Sequence, residues 1–116
     1  MKDDFIDCLV WATITIFAND GQKGRNTPII SGYRPNHAFI YNGDDDNGKP
    51  LYQAVMGQIT LLDREILELN TPALVEIRFI INDEMCQKIK KGFCWRIYEG
   101  GNWVGVGEIY EVLRVL

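Results

Sequence analysis

Residues 5–17 read FIDCLVWATITIF, and this stretch decides the fold class. Each even position from Ile6 to Ile16 is apolar: Ile6, Cys8, Val10, Ala12, Ile14 and Ile16. The odd positions mix Asp7, Thr13 and Thr15 with Leu9, Trp11 and Phe17. A period of two with many β-branched side chains is the pattern of a strand, and it predicts a long one with its even face inward. The run NDGQKG at 19–24 follows as a turn.

Working outward, the same pattern recurs. HAFIY (37–41) reads as a short strand, and NGDDDNGKP (42–50) as a solvated loop. Asn42, Asp44 and Asp46 alternate there as calcium ligands do, but the sixth position is Asn47 rather than glycine and the twelfth is Gln53 rather than glutamate. AVMGQITLL (54–62) is a further strand, with Gly57 placed for a bulge. VEIRFIIN (75–82) sets Val75, Ile77, Phe79 and Ile81 against Glu76 and Arg78, as a half-buried strand does. DEMCQKIKKG (83–92) has helical character for a turn or two, with acids leading and Gly92 stopping it. FCWRIYE (93–99) turns Phe93, Trp95 and Ile97 inward, GG reverses the chain, and WVGVGEIYEVLRVL (103–116) is a long closing strand. Six strands with almost no helix make residues 1–116 a single all-β domain, closed as a small barrel or paired as a two-sheet sandwich.

Composition narrows the function. The chain has 116 residues, 47% hydrophobic and 24% charged, with a formal net charge of −4. That balance is globular, and its sign opposes generic binding to phosphate backbones. Cys8, Cys86 and Cys94 lack paired spacing and stand with the single histidine His37, so no zinc site is expected. The N-terminal run MKDDFIDCLV is acidic where a signal peptide is basic, and no apolar run matches a membrane span, so a soluble cytoplasmic protein is expected. A GxxxxGK[ST] loop is absent, and GVGEIY (105–110) carries only the first two glycines of a dinucleotide fingerprint. No acid/base pair or nucleophile–histidine set can be nominated, so no catalytic residue, metal or cofactor is assigned.

Two segments stand apart. GRNTPIISGYRP (24–35) is stiffened by Pro28 and Pro35, turned by Gly24 and Gly32, and armed with Arg25 and Arg34. Those guanidiniums suit carboxylates, phosphates or buried carbonyls, so they either pin the loop to its own barrel or face a partner. IYEGGNWVGVGEI (97–109) is a hairpin with Glu99 before the turn and Trp103 after it. Trp103 there either packs or anchors an interface.

Taken together, in this order, the two segments resemble the C-terminal (third) domain of bacterial elongation factor Tu. That family runs Gly-Arg-His-Thr-Pro, then Gly-Tyr-Arg-Pro; here the residues are Gly24, Arg25, Asn26, Thr27 and Pro28, then Gly32, Tyr33, Arg34 and Pro35. Its later Ile-Arg-Glu-Gly-Gly-Arg-Thr-Val-Gly-Ala-Gly is matched by Ile97, Tyr98, Glu99, Gly100, Gly101, Asn102, Trp103, Val104, Gly105, Val106 and Gly107. The resemblance covers nearly the whole chain. It implies a six-stranded antiparallel Greek-key barrel without catalytic residues, which in the family packs on a GTPase domain, meets an exchange factor and contacts the T-arm of tRNA. It also nominates Arg25, Thr27, Tyr33, Arg34, Glu99, Gly100, Asn102 and Trp103 as partner-binding candidates.

The departures alter that implication. Tyr98 and Asn102 replace the arginines flanking Glu-Gly-Gly, Asn26 replaces the histidine, and Cys94 stands at an upstream basic position. Lost positive charge weakens tRNA binding. With neither the GTPase domain nor the second barrel beside it, the chain is not expected to act as a translation factor. The expectation is a protein-binding module, in one form a mimic or an immunity or antitoxin protein that competes with or shields elongation factor Tu. The alternative is an RNA-binding module that keeps T-arm contacts through Glu99, Gly100 and Arg25.

Overall fold

The computed structural model describes residues 5–116. Its elements in chain order are β1 (Ile6–Ile16), β2 (Ile29–Ile30), β3 (Asn36–Asp44), β4 (Pro50–Leu61), β5 (Ile66–Leu67), β6 (Ala73–Ile81), α1 (Asp83–Cys86), β7 (Cys94–Glu99) and β8 (Asn102–Val115). The fold is all-β. The six long strands lie in the order β1-β6-β4-β3-β7-β8, every ladder antiparallel, and β8 pairs back onto β1 to close a barrel. Closure pairs each long strand with two neighbours, though β3 meets β7 only over residues 36–38 and β4 meets β6 only over residues 56–61, so the outer part of the β3–β4 hairpin stands clear of the ring.

The alternation read from the sequence fills the interior. Cys8, Val10, Ala12, Ile14 and Ile16 of β1 and Val75, Ile77 and Phe79 of β6 have no exposed surface. Large rings pack beside glycines: His37, Phe39 and Trp95 surround Phe79 with ring centroids 5.0, 5.1 and 5.8 Å away. A side-chain carbon at Gly57 would sit 2.7 Å from the Phe79 ring, and one at Gly107 would sit 2.6 Å from the Trp95 ring. Gly57 is therefore no bulge, as its regular pairing with Phe79 shows. It is the space that Phe79 occupies.

Among the described residues His37 is the one polar side chain buried in this core. Its Nδ1 accepts from Trp95 Nε1 at 3.1 Å, so Nε2 carries the proton and donates to the Gly57 carbonyl at 2.9 Å. Burial lowers its pKa to about 4, against the opposing pull of that carbonyl, and the ring stays neutral at pH 7.

Several boundaries differ from those expected. β3 runs on to Asp44 and β4 starts at Pro50, which shortens the acidic loop. Asp45 closes it by accepting from the Asn47 and Lys49 amides at 2.8 and 2.9 Å. The helix is a single turn capped by Asn82, ending well before Gly92. Phe93 is only partly buried. The apolar residues on both faces of β8 follow from register shifts against β1, which leave Tyr110 and Leu113 without partners and exposed. β2 and β5, two residues each, pair as a small sheet outside the barrel. Periodicity has nothing to detect at that length.

Candidate partner-binding site

The loop of residues 17–35 and the β7–β8 hairpin meet at one end of the barrel. Phe17 N donates to Val104 O at 2.7 Å, Gly24 N to Trp103 O at 2.8 Å, and Arg25 N to Phe17 O at 2.8 Å. Gly24, at φ 97°, lies so close to Ala18 that an added Cβ would stand 2.2 Å from its carbonyl oxygen. Only glycine fits this crossing. Asn102 completes the seam by donating Nδ2 to Gly24 O at 2.8 Å.

On this frame Arg25, Thr27, Tyr33 and Glu99 form one network. Arg25 donates Nε to Thr27 O at 3.1 Å and Nη2 to Thr27 Oγ1 at 3.0 Å, while Nη1 is ion-paired with Glu99. The guanidinium lies 4.9 Å from the centroid of the Tyr33 ring, whose hydroxyl donates to the same Glu99 carboxylate. Burial and this carboxylate hold the Tyr33 phenol well above its usual pKa, so it remains a donor. Arg25 is the brace of the loop.

Arg34 is placed elsewhere. The chain from Ser31 to Tyr33 is stitched to β4 by Leu61 N to Ser31 Oγ at 2.8 Å, Gly32 N to Ile59 O at 2.8 Å and Ile59 N to Tyr33 O at 2.9 Å. Tyr33 turns toward Glu99, and Arg34, the next residue, lies exposed along β4. Its Nη2 and Nε donate to Gln58 Oε1 at 2.8 and 3.2 Å. The two arginines of the segment thus have different surroundings.

Gly100 and Gly101 form the two-residue turn between Glu99 and Asn102, with Gly100 at φ 59° and Tyr52 donating to its carbonyl at 2.8 Å. Trp103 is half-buried. Its Nε1 donates to Gly105 O at 2.7 Å and its ring meets Phe17 edge-on at 5.5 Å. Beside it lies a group that sequence reading missed. The Arg96 guanidinium stands 4.1 Å from the Trp103 ring and 4.0 Å from the Tyr41 ring, and donates to Tyr98 OH at 3.2 Å. Tyr98 in turn stacks on Tyr52 at 4.6 Å. Strand alternation marks Arg96 and Tyr98 as outward, yet Tyr98 is buried. A register shift at Ile97/Tyr98 leaves Val104 as an extra residue on β8, and no local pattern announces it.

The positive charge at this end is largely spent. Arg25 is paired with Glu99 and Lys23 with Asp20, and Asp20 is drawn down to about 2 by the Gln22 and Lys23 amides and the Lys23 ammonium. Among the described residues no three His, Cys, Asp or Glu side chains are grouped to hold a metal ion, and no helix is long and apolar enough to cross a membrane. The site offers aromatic rings, one stacked guanidinium and a glycine turn.

No protein-family model matches the chain, and no curated protein matches it.

Proposed function

We propose that this chain is a protein-binding module built on a Greek-key barrel like the third domain of elongation factor Tu, acting through the loop and hairpin that meet around Glu99. The strand order supports the topology: β3, β4 and β6 are consecutive neighbours, and β1 lies beside β6, as a Greek key traced backwards requires. One observation carries the function. Arg25, the guanidinium that opens the loop motif, is turned onto its own Glu99 and Tyr33. What this end presents instead is Trp103, Tyr41, Tyr52 and Arg96, residue types that dominate protein interfaces. In its most specific form the module is a mimic of the elongation-factor domain, of immunity or antitoxin type, that competes with or shields that factor.

Affinity capture from a bacterial lysate, with protein and RNA both identified, tests this. Protein is expected in the capture; RNA alone overturns it.

A second reading, RNA binding, draws on Lys23 and Arg96 lying against the rings of Phe17, Trp103 and Tyr41. It requires tRNA binding that falls steeply with salt, and absence of binding at low salt excludes it.

A further inference from the structure

A second surface lies away from the hairpin, on the outer face of β4 and β6. There Met56 pairs across the sheet with Ile80, and both are exposed, at 72% and 40%. Neighbouring strand positions in a closed barrel gain nothing from two adjacent large apolar side chains held in water. The next pair along the same two strands is Gln58 with Arg78. Arg34 reaches over from the preceding loop, and with Pro35 it walls a groove of about 340 Å³ over Met56 and Ile80.

The two guanidiniums at its rim are unequal. Arg78 is held by the carboxylate of Asp7. Arg34 meets no carboxylate among the described residues, and only the neutral oxygen of Gln58 engages it. It keeps uncommitted N–H donors in a planar fork that matches a carboxylate. Gln58 already orients that fork, so little ordering is left for a ligand to impose.

We propose that this groove binds an acidic, apolar peptide segment of a protein partner, setting one carboxylate on Arg34 and one large apolar side chain on Met56 and Ile80. A volume of about 340 Å³ has room for such a side chain together with its flanking backbone. Met56 is unbranched and adapts to the shape it receives. Charge chooses this occupant over a nucleic acid, because one free guanidinium suits a single carboxylate, whereas a phosphate chain needs a run of cations. The groove deepens the protein-binding reading and rests on it, but it uses a different face from the hairpin.

The test is selection of a random displayed heptapeptide library on the wild-type protein and on the variants Arg34→Gln and Met56→Ser. Both sites are exposed, so both variants are expected to melt with the wild type, and melting is measured first. Expected is enrichment of peptides with Asp or Glu within two positions of a large apolar residue. A synthetic peptide of the enriched sequence is expected to shift the amide resonances of Met56, Gln58 and Ile80 and to bind at least about tenfold more weakly to Arg34→Gln. Loss of affinity is also expected when its acid is replaced by the amide. No enrichment, basic or neutral consensus peptides, or affinity unchanged in either variant overturns the proposal. So do shifts confined to the hairpin, or a groove closed by self-association of the chain. If no peptide is selected on the groove while lysate capture recovers a protein partner lost in a hairpin variant, the groove fails while the protein-binding reading stands.

Discussion

At the scale of single residues, His37 is the clearest case of chemistry serving the fold. Its folded pKa, about 4, lies below the ordinary 6.5, so between those values the unfolded chain binds a proton that the barrel refuses. Stability is then fully present above pH 6.5 and is lost as pH falls toward 4. The slope in that window approaches about 1.4 kcal/mol per pH unit, for a total of about 3 kcal/mol. Denaturant titrations at pH 7, 5.5 and 4.5 check this, and the slope across that window is expected to flatten in His37→Gln. The two arginines give a second residue-scale contrast. Arg25→Ala, which strips Glu99 and Tyr33 of a partner, is expected to cost about 1–2 kcal/mol of stability, whereas Arg34→Ala stays within about 0.5 kcal/mol. Chemical denaturation of the two variants side by side measures it. The motif predicts neither outcome, because identity and spacing say nothing of which way a guanidinium turns.

At the scale of elements, the strands were written plainly in the alternation of β1 and β6, whose inward residues are those buried in the barrel. What stayed hidden has a common physical cause. β2 and β5 are too short for a period, and the shift at Ile97/Tyr98 adds one residue with no compositional mark. Glycine is the other ambiguous sign. Gly57 reads as a bulge, yet it and Gly107 are small because Phe79 and Trp95 are large. Gly57→Ala and Gly107→Ala are therefore expected to destabilise by about 1–3 kcal/mol through overpacking. Gly101→Ala is the control, since a Cβ there meets nothing nearer than Pro50 at 3.9 Å and is expected to be nearly neutral. Thermal melts of the three variants separate space from turn geometry.

At the scale of the whole molecule, a closed barrel with a net charge of −4 presents its loops and outer strand faces as the surfaces on which the proposed contacts lie. The hairpin end was legible in outline, because Arg25, Thr27, Tyr33, Glu99, Asn102 and Trp103 do converge there. The Arg96 group and the displacement of Arg34 were not, since both depend on register and on loop stitching across distant strands. The central claim is that the hairpin end binds protein and not RNA. Its most direct test is lysate capture by the wild type and by Gly101→Arg, which puts a long cationic side chain on the exposed turn while leaving the barrel intact. The account predicts that wild-type protein retains a protein partner, that Gly101→Arg loses it, and that neither enriches RNA. Recovery of RNA alone, rising with the added arginine, would contradict it.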